Sequence, residues 1–222
     1  MRGESDKITL VNNKKHLFIF IFAFAALACQ MTTAAPAVPS GSILFQDDFA
    51  SATTGWDRFK AGEGIMDYDG GGYRILVNAL QVNFWATPRK VFSDVSIEVD
   101  AGKLAGPDEN RIGIICRYTG QEYYFFIISS DGYYGIGIFT NGQTALLGQS
   151  QMQYSPNIKT GLTVNHLRAD CNSDTLSFYA NGSTLGEVHD PTLQEGDIGL
   201  LAGTFSQPGV DVLFDNFAVV KP

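Results

Sequence analysis

The residues of this chain best suited to chemistry are aromatic. Trp56, Tyr73, Trp85, Tyr118, Tyr124 and Tyr134 stand in mixed apolar and polar surroundings, with Arg74 and Arg117 as polar partners. The C–H faces of a sugar ring stack on Trp and Tyr, while Arg, Asp, Asn and Glu bond its hydroxyls. A carbohydrate site therefore needs both kinds of side chain on one exposed surface. Each of these aromatics could instead be core, and Trp56 in TGW and Trp85 in NFWAT fit either role.

Residues for catalysis are harder to assemble. Glu98 and Asp100 share one face of a strand, as paired carboxylates of a glycosidase must, but Ala101-Gly102-Lys103 follows where a second glutamate is needed. We read Glu98 and Asp100 as a solvated strand face. The chain has no G-x-S-x-G elbow, no G-x-x-x-x-G-K-[ST] loop and no H-E-x-x-H. His166 alternates with Arg168 and Asp170 on an outward face and His189 lies at a turn before Pro191, so both read as surface histidines. These absences lean away from an enzyme.

The elements that must position such residues are strands. Twenty-four glycines with 16 phenylalanines and 9 tyrosines favour strands and turns over helices. Thirteen runs carry the signal: ILFQDDF, GYRILVN, QVNFWAT, DVSIEVDA, RIGIICRY, YYFFIIS, YYGIGIF, QTALLGQ, NHLRADC, TLSFYAN, STLGEVH, DIGLLAG and VLFDNFAVV. Asp131-Gly132, Asn141-Gly142 and Asn181-Gly182 fall between them as tight turns, so two packed antiparallel sheets are expected. In DVSIEVDA, Val95, Ile97 and Val99 alternate with polar residues, the mark of a half-exposed strand. EYYFFIIS breaks that rule. Tyr123, Phe125 and Ile127 share one face while Tyr124, Phe126 and Ile128 share the other, so both faces must be covered by the protein's own loops or used as the floor of a groove.

Composition bounds partners and location. The net charge is −8, and Arg2, Lys7, Lys14 and Lys15 lie in the first 28 residues, which leaves the remainder more acidic still. Such a surface repels phosphate backbones, and nucleic acid is excluded as a partner. Lys14-Lys15 precede an apolar run from Leu17 to Ala28, too short to span a bilayer and suited to an export signal over residues 1–28. Two cleavage readings stand side by side. Ala26-Leu27-Ala28 fits an ordinary signal peptidase, whereas Ala26-Leu27-Ala28-Cys29 is like a bacterial lipobox, in which Cys29 is acylated and anchors the chain to the membrane. Residues 29–42, rich in Thr, Ala, Pro and Ser, then form a flexible tether to a domain over 43–222. In an exported protein the remaining pair, Cys116 and Cys171, reads as a disulfide, with buried free thiols as the alternative.

LFQDDFASATTGW, NRIGIICRYTGQEYYFFIISSDGYYGI, NHLRADCNSDTLSFYANG and GDIGLLAGTFSQPGVDVLFDNFAVV, in that order, resemble the concanavalin A-like lectin/glucanase (laminin-G-like) jelly roll over residues 43–220. They are most similar to the single-domain versions on bacterial surface lipoproteins and to domains of the 3-keto-disaccharide hydrolase type. The resemblance implies an all-β, two-sheet antiparallel jelly-roll sandwich whose concave sheet receives a saccharide, carried at the cell envelope. It also leaves two readings of Asp47, Asp48 and Asp215, where first and last strands meet: ligands of a structural calcium, or carboxylates that only satisfy strand-end amides; no other cofactor is expected. The loop Asp67-Tyr68-Asp69-Gly70 begins like a calcium loop but lacks the later ligands, and reads as a turn. Two further functions stay open: a disaccharide-derivative hydrolase using Arg117, Glu122 and Asp131, and a structural or protein-binding envelope module.

Overall fold

The computed structural model describes residues 40–222; the expected leader, Cys29 and all but the last residues of the tether lie outside them. The described chain is built of strands, in the order β1 (Ile43–Asp47), β2 (Phe59–Ala61), β3 (Gly64–Asp69), β4 (Gly72–Val77), β5 (Asn83–Ala86), β6 (Val91–Phe92), β7 (Val95–Ala105), β8 (Asn110–Tyr118) and β9 (Tyr123–Ile128). There follow β10 (Tyr133–Thr140), β11 (Gln143–Leu146), β12 (Gln153–Tyr154), β13 (Val164–Asn172), β14 (Thr175–Ala180), β15 (Ser183–His189), β16 (Gly196–Thr204) and β17 (Val210–Val220). All thirteen expected strands are present. The additions, β2, β3, β6 and β12, are short or polar, and β3 carries the Asp67-Tyr68-Asp69 segment expected as a turn; the turn is Gly70-Gly71, both at positive φ.

Two antiparallel sheets result. The first runs β15-β14-β13-β7-β17-β4-β3-β2, with β1 also on β17; the second runs β11-β10-β9-β8-β16-β5, with β12 on β10 and β6 on β16. Strand β17 organises the first sheet. One edge takes β7 along its length, while β4 and β1 divide the other, pairing Val210–Phe214 and Phe217–Val220 respectively. Between those halves the register shifts and Asn216 turns to a left-handed φ of 54°. This bulge inserts one residue, so the inward set changes from even positions (Val210, Val212, Phe214) to odd ones (Phe217, Val219).

The core lies between the sheets. Val95, Ile97 and Val99 of β7 meet Ile112 and Ile114 of β8, Phe126 of β9 and Leu200 of β16, all buried. Asn141-Gly142 and Asn181-Gly182 both adopt positive φ and close two-residue hairpins, Thr140 pairing with Gln143 and Ala180 with Ser183. The turn around Asp131-Gly132 differs, with only Gly132 left-handed, and Ser129 and Tyr133 close it through their backbones.

Cys116 and Cys171 form a disulfide across a separation of 55 residues. Because Cys116 belongs to β8 and Cys171 to β13, the bond ties one sheet to the other through the buried core. A cross-link closing a loop of this length stabilises by about 4 kcal/mol on the chain-entropy account. Replacing both cysteines by alanine is therefore expected to lower unfolding free energy by about that amount. Urea denaturation of the double variant against the oxidised parent measures it, and equal midpoints would show that the bond contributes nothing.

Candidate functional site

The second sheet buries both faces. Its inward residues join the main core, while Tyr123, Phe125 and Ile127 point the other way and are still only 2%, 4% and 4% exposed. With Ile115 and Leu201 they form a second apolar cluster, bordered by Trp85, Tyr118, Phe139, Leu146 and Met152. The described residues supply no third sheet over this face. The burial comes from glycines. Across the paired strands Ile127 lies between Gly113 and Gly135, Phe125 between Ile115 and Gly137, and Leu201 between Gly113 and Trp85. A Cβ on Gly137 would overlap the Phe125 ring, so that ring lies across the glycine and is sheltered by the sheet itself. Tyr123 stacks on Phe139 at 5.2 Å between centroids and tilts against Trp85 at 5.4 Å.

A depression of about 150 Å³ opens on this face, lined by Gln81, Asn83, Arg111, Phe125, Ile127, Thr144 and Leu201. Its floor is apolar and its rim polar. Asn83 (β5) and Arg111 (β8) stand on either side of Gly203 (β16), in register with both. A side chain at Gly203 would strike the Asn83 side-chain oxygen Oδ1, so the glycine leaves the gap through which Arg111 Nη1 donates to that same oxygen at 3.0 Å. The same Nη1 donates to the Thr204 carbonyl at 2.9 Å, and the guanidinium lies 3.8 Å from the Phe205 ring centroid. Burial draws the Arg111 pKa down, against the opposing influence of Tyr123. Burial likewise pushes the Tyr123 phenol up to about 12, with Asn83 opposing, so it remains a neutral hydroxyl at physiological pH. A second depression, about 300 Å³, begins beyond Asn83 and is lined by Phe59, Met66, Phe84 and Trp85.

The expected site residues separate into groups. Trp85 and Tyr118 sit at the border of the outward cluster, 6.3 Å apart. Trp56, Tyr73 and Tyr124 are core, which corrects their assignment as stacking surfaces. Trp56 donates from Nε1 to buried Asp47 at 2.8 Å, Tyr73 donates to the Asp57 carbonyl, and Tyr124 donates to Asp190 at 2.5 Å. Tyr134 packs on the core beside Gly186, at a separate small cleft with Leu147 and Val188. Arg74 lies on the first sheet, gripping Asp211 through Nε and Nη2 at 2.8 and 2.6 Å.

Arg117 is 1% exposed and is corrected from ligand contact to structural anchor. A bulge between β8 and β16 gives it a left-handed φ of 54°, and it donates to the carbonyls of Ser93 and Leu193 and to Asp94. Glu122 and Asp131 bond Thr140 and Ser129 at opposite ends of β9. A six-residue strand is about 20 Å long, so Arg117, Glu122 and Asp131 do not converge on one substrate.

Of the expected calcium ligands, Asp47 is engaged by Phe49 N and Trp56, Asp48 caps Ala50 N at 3.1 Å, and Asp215 caps Asn216 N at 2.7 Å. Among the described residues no group of three or more His, Cys, Asp or Glu is arranged to hold a metal. Glu98 and Asp100 lie on the first sheet, away from the depression, where Asp100 bonds His166 and Asn216. The residues that sequence reading missed are Gln81, Asn83, Arg111 and Thr144. Alternation was their signal: placing Ile112, Ile114 and Cys116 inward sets Arg111 on the other face, and Gln81, Asn83 and Trp85 likewise alternate.

No protein-family model matches the chain, and none of the curated proteins is similar to it. Solved structures share its architecture. Carbohydrate-binding module CBM66 from Bacillus subtilis is 18% identical with a TM-score of 0.52, covering 75% of this chain and 96% of its own. A galectin-like protein of unknown function from Bacillus subtilis is 13% identical with a TM-score of 0.62, covering 83% and 99%. The Bacillus licheniformis β-glucanase is 11% identical with a TM-score of 0.58, covering 80% and 97%. The described chain has the two-sheet antiparallel jelly-roll sandwich fold of these structures, the fold that the resemblance implied. These likenesses speak to the fold.

The glycine rows make a test of the sheltered face. Gly137→Ala forces the Phe125 ring to move and is expected to destabilise by about 1–3 kcal/mol, the usual range for overpacking. Chemical denaturation measures it, and an unchanged midpoint would mean the ring is not held against Gly137.

Proposed function

We propose that the protein is a non-catalytic carbohydrate-binding module whose site is the depression on the outer face of the second sheet. The observation that carries this is the combination in one place of an apolar floor (Phe125, Ile127, Leu201) and a hydrogen-bonding rim (Gln81, Asn83, Arg111, Thr144). Its volume falls below the roughly 300–1,000 Å³ of sites that enclose a drug-sized ligand, so a single ring or a chain end is the unit that fits. The neighbouring apolar depression beside Trp85 and Phe59 offers a continuation for the next residue of a glycan. No Asp or Glu lines either depression, so neither supplies a carboxylic general acid. A carbohydrate-binding module among proteins of this fold supports the same reading.

In this proposal the chain is exported and held at the cell envelope by lipid on Cys29, with the following Thr/Ala/Pro/Ser segment as spacer. Cys29→Ser is expected to move the protein from the membrane to the soluble fraction on cell fractionation; retention in the membrane counts against the anchor.

Titration calorimetry over a glycan panel tests the site. At least one glycan is expected to bind, and Asn83→Ala, which removes one rim group, is expected to weaken it about tenfold, the effect of one lost hydrogen bond. The thermal midpoint serves as the control for folding. Silence across the panel, or unchanged affinity in Asn83→Ala, overturns the assignment of the site.

A further inference from the structure

Six arginines lie in the described residues, and five of them are paired with an aspartate: Arg58 with Asp67, Arg74 with Asp211, Arg89 with Asp57, Arg117 with Asp94 and Arg168 with Asp170. Arg111 alone has no carboxylate partner among the described residues. In an acidic protein, with 23 Asp and Glu against 15 Lys and Arg, a lone unpaired guanidinium is an exception that composition disfavours.

Its geometry shows which edge is left over. Both of its hydrogen bonds leave from Nη1, and no buried side-chain nitrogen or oxygen lacks a partner, so Nε and Nη2 have access to solvent. Asn83, Thr204 and the Phe205 ring hold the guanidinium in place from one end and one face. The open edge, Nε with Nη2, is the same fork that Arg58, Arg74 and Arg168 each present to an aspartate in this molecule. A planar fork of two parallel N–H donors matches the two oxygens of a carboxylate. Partial burial strengthens such a pairing, because less water competes for the donors.

Resting on the proposal that this depression binds carbohydrate, we infer that its ligand is an acidic saccharide, a sugar bearing a carboxylate that docks on Nε and Nη2 of Arg111 while its ring lies over Phe125, Ile127 and Leu201. Asn83 is then a positioning residue for the arginine as well as a donor and acceptor for hydroxyls. No carboxylate lines the depression to repel the ligand's charge.

Matched ligands differing only in the acid group test the inference: methyl glucoside against methyl glucuronide, and short neutral against uronic oligosaccharides, titrated into the purified protein at low and high salt. The acidic member of a pair is expected to bind at least tenfold more tightly, with the preference shrinking as salt rises. Arg111→Met is expected to weaken both and erase the preference. Arg111→Lys, which keeps the charge but loses the fork and is the gentler change for folding, is expected to retain a reduced preference.

Equal or better binding of the neutral member overturns the acidic ligand while leaving the carbohydrate site standing. Binding of acetate alone as tightly as the uronic sugar overturns it as well, because the ring would then add nothing. If neither member of any pair binds, the site itself fails, and this inference with it.

Discussion

One constraint governs this molecule: a single sheet must bury large side chains on both of its faces, with one partner sheet among the described residues to cover it. The inward face is covered by the other sheet, and the disulfide between Cys116 and Cys171 fastens that contact. The outward face is covered by its own side chains, the Phe125 ring lying across Gly137 and Leu146 and Met152 lying over Gly135. Glycine inside a strand ordinarily weakens it. Here the loss is offset because each missing side chain makes room for a neighbouring aromatic or aliphatic one. The same device shapes the depression, since Gly203 opens the space in which Asn83 and Arg111 meet.

Much of this was legible in the sequence because strand alternation is a strong local signal. The thirteen strands, the two Asn-Gly hairpins and the two-faced character of YYFFII follow from period two and turn chemistry, and the disulfide from the cysteine count in a chain read as exported. What escaped were the interruptions of that period. The bulge at Asn216 reverses the inward set within β17, and the one at Arg117 turns a residue expected to face a ligand into a buried anchor for the loop at Leu193. Neither has a local signature, because a bulge depends on the partner strand's count. Trp56, Tyr73 and Tyr124 escaped for another reason. Each has a polar tip satisfied by a residue distant in sequence or across a turn, so they could be buried whole.

The distribution of charge separates structure from the candidate site. Five aspartate–arginine pairs lie along the surface or at loop anchors, and the exposed ones contribute little to stability individually. They pair five of the six arginines among the described residues with aspartates, whereas Arg111, at the depression, keeps its guanidinium without a carboxylate partner. Selectivity at such a spot comes from the contrast with its surroundings as much as from the donors themselves.

The pairing of β1 with β17 has a mechanical consequence. Ile43 lies opposite Val220, and the backbones of Gly41 and Ser42 bond Lys221, so entry to and exit from the domain occur at one spot. Tension applied between those two ends would open this strand pair one hydrogen bond at a time, like a zipper, rather than shearing all of them together. Tension applied at the entry end and resisted on the second sheet must instead pass through the core and the Cys116–Cys171 bridge. The fold therefore resists load between its entry strand and the second sheet better than load between its own two ends.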